Sequence, residues 1–192
     1  MHETAGAHYL QDALDQFRKY KRMADSAIAQ VSDADFFRAP DPESNSVALV
    51  IKHVAGNMRS RWRGFPESDG EKPDRDRDTE FEKADQDTRA SLTARWEEGW
   101  ALLFSALEPL RESRLLETTR IRGIEHTVLQ AIQRQLTHYA YHVGQIVFLA
   151  RHFAGANWKS VDPEGEVARV RRPERRHAVH DPQDLSRRRC SP

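Results

Sequence analysis

The run from Val128 to Phe153 limits this chain more than any other stretch. Ile132, Leu136, Ala140 and Val143 fall along one line at three- and four-residue steps, with Ile146 and Leu149 beside them. That period belongs to an amphipathic α-helix, whose wide apolar face has to be buried against other elements. The same run carries His138-Tyr-Ala-Tyr-His142. Four residues of α-helix turn a side chain by about 40° net and raise it about 6 Å. Both imidazoles can then reach one point, as two metal ligands on one helix must. The pair lies at one edge of the apolar face, beside Ile146 and Leu149.

The remaining chain supplies partners for that face. Leu10, Leu14, Phe17, Met23, Ala27, Ile28 and Val31 predict a first helix over about 7–31. Ser32-Asp-Ala-Asp35 suits a short capped turn, and Pro40-Asp-Pro42 breaks the chain. Ser44-Asn-Ser46 offers N-caps for a second helix reaching Phe65, with Val47, Leu49, Val50, Ile51, Val54, Met58 and Trp62 on its apolar face. His53 lies on the core side of that helix. Residues 67–78 are dense in charge and read as a solvated loop, long enough to cross the molecule and to cover a site. Thr79 or Asp78 is expected to cap a third helix whose stripe runs from Phe81, Ala84 and Thr88 through Leu92, Trp96, Trp100 and Leu103 to Leu107. A connector at 115–123 has room for short extended structure. The fourth helix is expected to start near Glu125 and to end at Gly155. Four long amphipathic segments, with no strand-rich region, predict an all-α four-helix bundle over residues 1–158.

After Trp158 the composition changes to Lys159, eight arginines, four prolines and few aliphatics. Residues 159–192 therefore read as a basic, disordered tail. Its Arg171-Arg172, Arg175-Arg176 and Arg187-Arg188-Arg189 clusters fit a solvated segment better than a nucleic-acid contact.

Charge and cysteine usage exclude several functions. Lys+Arg and Asp+Glu are 30 each, so no global field favours nucleic acid or a membrane surface. Cys190 is the single cysteine, which excludes an internal disulfide and a thiolate zinc cluster. No signal peptide and no stretch of about 18 apolar residues is evident, so the chain reads as cytoplasmic with no membrane partner.

The histidines carry the chemistry. An isolated histidine on an apolar face is usually a hydrogen-bonded core residue, and His53 alone fits that description. The His138–His142 pair is stronger, because two neighbouring neutral imidazoles suit a shared cation. Position 139 is tyrosine, so the His-Glu-x-x-His motif and its helix-borne base are missing. No Gly-x-Ser-x-Gly, phosphate loop or usable Cys–His pair is present. His2, His8, His126 and His152 lack a partner at helical spacing. Trp96 and Trp100, one turn apart, fit a core.

Lys52-His-Val-Ala-Gly-Asn-Met-Arg-Ser-Arg-Trp62, Asp69-Gly-Glu-Lys-Pro73 and His138-Tyr-Ala-Tyr-His-Val-Gly-Gln-Ile146 together resemble the DinB/YfiT-like superfamily, a bacterial group of four-helix bundles, over about 8–158. The resemblance implies an up-down-down-up bundle with a long crossover between helices two and three. It implies that His53, His138 and His142 ligate a divalent metal, zinc or nickel, with coordination positions left open. Asn57, Arg59 and Gln135 then become candidates for contact with ligand or substrate. Arg59 and Arg61 follow the second-helix histidine and could steer an acidic substrate, although Arg61 reads better as a solvated surface arginine. Characterised relatives include thiol-dependent transferases that use bacillithiol or mycothiol, so a metal-dependent hydrolase or thiol transferase acting on a small molecule is expected. Members often form dimers, which puts a homodimer among the expected partners. The competing expectation is a non-catalytic metal- or ligand-binding bundle or a structural dimer of stress-response type.

Overall fold

A computed structural model describes residues 4–161 and 167–168. Helix α1 spans Ala5–Ile28, α2 Asp33–Phe36, α3 Val47–Trp62, α4 Arg89–Leu107 and α5 Val128–Ala154. Strands β1 (Thr118–Ile121) and β2 (Ile124–Thr127) form an antiparallel hairpin between α4 and α5. Two-residue strands β3 (Ser160–Val161) and β4 (Val167–Ala168) also pair antiparallel. Order therefore continues a little past the expected boundary at 158. Most of the tail expectation, with its arginine clusters and Cys190, lies outside the described residues.

Side chains that satisfy free backbone N–H groups set the helix starts. Ser46 Oγ accepts from Leu49 N at 3.2 Å. Thr127 and Gln130 form a reciprocal capping box at the start of α5, with bonds of 3.1 and 2.8 Å. This places the start of α5 at Val128 rather than near Glu125, because Ile124–Thr127 pair as β2. The extended structure foreseen in the connector is this hairpin.

The third long helix starts nine or ten residues later than its pattern suggests. Thr88, not Thr79 or Asp78, is its N-cap, in a box with Ser91. Phe81, Ala84 and Thr88 are thus not part of its apolar stripe. Asp78–Phe81 is instead a 3-10 turn, and the chain after it is held by a buried pair. Lys52 Nζ donates to Asp87 Oδ2 and to Glu82 O, both at 2.7 Å, and Asp87 accepts from Ala84 N at 2.9 Å. Those contacts hold 78–87 against α3.

The core lies between α1, α3, α4 and α5. Helix α3 packs against α4 and α5, and α1 against α5. Phe17, Phe36, Met58, Trp96, Trp100, Leu103, Ile132, Tyr139 and Ile146 are fully buried there. Nearly every side of α3 is covered, which accounts for the burial of its polar Lys52, His53, Asn57, Ser60 and Arg61. Among the described residues no helix is long and apolar enough to cross a membrane.

Candidate metal centre

His53 comes from α3, and His138 and His142 from α5. The pairing of these two helices brings them together. One ligand atom from each can be chosen so that all lie within 4.8 Å of one another. His138 Nε2 lies 3.1 Å from His142 Nε2 and 3.4 Å from His53 Nε2. Ligands about 2.1 Å from a tetrahedral zinc are separated by about 3.4 Å, so these spacings suit a common ion.

The outer nitrogens decide which protonation states are available. His53 Nδ1 donates to Glu80 Oε2 at 2.8 Å, and His142 Nδ1 donates to Gln145 Oε1 at 2.8 Å. Each bond places the ring proton on Nδ1 and leaves the Nε2 lone pair facing the centre. His138 Nδ1 is buried without a hydrogen-bond partner. Burial, followed by the neighbouring His142 and His53, pushes the pKa of His138 down to about 3. Burial likewise lowers His142 to about 4, against the raising effect of its bond to Gln145. Three imidazole nitrogens brought together in this way form a donor set that suits a divalent cation.

Glu80 anchors this arrangement. Arg75 Nε donates to its Oε1 and Arg75 Nη2 to its Oε2, both at 2.8 Å. Burial alone would raise the Glu80 pKa, but the hydrogen bonds from His53 and Arg75 and the Arg75 charge bring it below the ordinary carboxylate range. Gly56 makes this possible, since a Cβ there would collide with the Glu80 carboxylate. Phe81 stacks on the His53 ring, with centroids 4.6 Å apart and an interplanar angle of 29°.

On its open side the cluster borders a cavity of about 590 Å³, lined in part by His53, Asn57, Gln135, His138 and Tyr141. Gln135 is buried, and its Oε1 has no hydrogen-bond partner. Asn57 Oδ1 accepts from Tyr139 Oη at 3.1 Å, and Tyr139 accepts from Trp62 Nε1 at 3.0 Å. Asn57 therefore joins α3 to α5 as well as lining the cavity. Arg59 is placed elsewhere: its side chain is 60% exposed and faces a separate cavity with Lys52, Arg63 and Asp74. Arg61, expected in solvent, is buried and lines the histidine cavity.

Sequence reasoning missed Glu80, Arg75, Phe81 and Gln145. The first three sit in a charge-dense segment with no period to read. Gln145 could have been found, because residues three apart on a helix are neighbours.

A family model described as "Protein of unknown function (DUF1572)" matches residues 4–166. Comparison with curated proteins gave no match. Among solved structures, the fold matches the crystal structure of a DinB-like protein, YjoA, from Bacillus subtilis. The TM-score is 0.54 at 17% identity, over 73% of this chain and 90% of that one. A mostly helical fold, similar to that of a DinB-like protein, with a three-histidine cluster between α3 and α5, accompanies a family match over most of the chain: this protein belongs to the DUF1572 family.

Proposed function

We propose that this protein is a metal-dependent enzyme, a hydrolase or thiol-dependent transferase, whose zinc or nickel ion is held by His53, His138 and His142. The observation that carries it is the convergence of three Nε2 atoms, two of them fixed by Nδ1 bonds to Glu80 and Gln145. When bound, the ion would supply Lewis acidity, lowering the pKa of a water or thiol at an open position. The chain's own residues do the rest. Glu80 holds the His53 ring, and Arg75 holds Glu80 ionised. Both Glu80 oxygens are engaged by His53 and Arg75, so Glu80 orients a ligand and is a poor general base. Gln135, with its unpartnered Oε1, offers an acceptor to a substrate donor in the cavity.

A non-catalytic metal-binding bundle is the second reading. The open cavity beside His138 favours the enzyme, because a purely structural site is normally closed by a fourth protein ligand. We further take the four long helices as an up-down-down-up bundle, with 63–88 as the crossover, acting on a small molecule. A second copy would cover the exposed Tyr141 and Phe148 face of α5.

Elemental analysis of the purified protein beside a His138→Ala, His142→Ala variant tests the metal site. About one equivalent of zinc or nickel is expected in the wild type and none in the variant. Equal metal in both would overturn the proposal. Hydrolase and thiol-transfer assays on the loaded wild type then separate the enzyme from the metal-binding bundle.

A further inference from the structure

Five arginines, Arg61, Arg75, Arg77, Arg122 and Arg134, line the cavity that opens onto His53 and His138, and its lining contains no carboxylate. The whole chain is neutral, with 30 basic and 30 acidic residues, so this concentration is local.

The partners of these arginines leave positive charge in excess. Behind the lining, Glu80 is taken by Arg75. Glu71 is shared, 3.3 Å from Arg75, 3.3 Å from Arg122 and 3.8 Å from Arg61. Arg77 and Arg134 have no ion pair among the described residues. Five guanidinium groups thus face two carboxylates.

Arg61 is the most telling member. It is 4% exposed, yet Nε and Nη1 have no hydrogen-bond partner and Nη2 reaches only Glu71 at 3.8 Å. A buried guanidinium with idle donors is costly unless something supplies acceptors. The surroundings are also shaped for it, since a Cβ on Gly70 would lie 2.5 Å from Arg61 Nη1.

Arg122 is set in place at some conformational cost. It sits in the β1–β2 turn with φ 56°, a left-handed conformation that disfavours a side chain, followed by Gly123 at φ 74°. Asp69 accepts from both turn amides, at 2.9 Å from Arg122 N and 2.7 Å from Gly123 N. That clamp ties the hairpin to the loop carrying Glu71 and Arg75, and it holds Arg122 at the cavity.

We infer that the histidine cavity binds a small oxyanion ligand, one bearing carboxylate or phosphate groups, with Arg61 as its buried anchor and Arg77, Arg122 and Arg134 around it. Guanidinium forks match both oxyanions bidentately, which a point charge does not. The inference deepens the proposed function and rests on it, because it takes this cavity as the substrate's place beside the metal site.

Isothermal titration of inorganic phosphate and of malonate, into zinc-loaded and chelator-treated protein at low and moderate salt, tests it. Saturable binding of at least one probe is expected; which probe binds more tightly distinguishes phosphate from carboxylate chemistry. Arg61→Gln should weaken it about ten-fold or more, and Arg77→Gln and Arg134→Gln by a smaller factor, about three-fold. Arg59→Gln, in the neighbouring cavity, should leave it unchanged. The two surface variants keep the test open if Arg61→Gln fails to fold. Absence of saturable binding, or equal weakening by Arg59→Gln, overturns the anion site. Anion binding by a protein that takes up no zinc upholds the anion site and overturns the metal reading alone. Zinc uptake without anion binding does the reverse.

Discussion

At the scale of single residues, Glu80 bears most on the site. It holds His53 from behind, and Arg75 holds it in turn. Glu80→Gln keeps an acceptor for His53 but removes the charge, so a zinc competition titration should show roughly 10–100-fold weaker binding. His138 and His142 set the pH response of the metal-free protein. Both pKa values are lowered in the folded state, to about 3 and about 4, from an ordinary 6.5. Between those limits the unfolded chain binds more protons, so stability rises with pH. Thermal unfolding in chelator should give a Tm that is level above about pH 7 and falls as pH drops below about 6.5. A Tm unchanged from pH 7 to pH 5 would count against neutral buried histidines. The two helix-borne histidines were legible in the sequence because a four-residue spacing has one meaning on an amphipathic helix. Glu80 and Arg75 were not, because acidic and basic residues in a charge-rich segment look alike whether they face water or fold inward. Arg61 misled for the same reason: it stands among Arg59, Ser60 and Arg63, and only the packing of 70–72 over it reveals that it is buried.

At the scale of elements, the helices were legible wherever a good cap lay directly before the first apolar residue. Ser44, Asn45 and Ser46 all offered caps for α3, and Ser46, next to Val47, is the one used. Thr79 and Asp78 were the expected caps for α4, with Thr88 placed inside its stripe; the buried pair of Lys52 with Asp87 goes with the later start at Thr88. A buried ion pair between distant residues leaves no periodic trace, so the sequence could not arbitrate. The capping box of α5 matters to the site because this helix carries two of the three histidines. Thr127→Ala should cost about 1 kcal/mol, read as a lower urea midpoint with an unchanged slope. About three helical turns separate the cap from His138, so zinc affinity should change little in the same variant.

At the scale of the molecule, the site ties together elements that the chain keeps far apart. The helical core, its four long segments and the inward face of His53 follow from hydrophobic period. The hairpin and the folded segment 63–88 depend on Asp69, Asp87 and Glu80, whose partners lie elsewhere in the chain. A metal held across α3 and α5 binds only the folded state, so saturation at about a hundred times Kd adds about 2.7 kcal/mol. For a domain of this size that corresponds to roughly 5–10 °C in Tm, measurable by calorimetry with and without chelator. His53 and His138 are 85 residues apart in sequence. The three-nitrogen set therefore cannot exist in any locally ordered fragment, and its completion must await closure of that long loop between α3 and α5. Zinc capture during refolding thus becomes a clock for that closure: metal binding should follow the recovery of helical signal, with a rate that rises in step with long-range closure and not with helix formation.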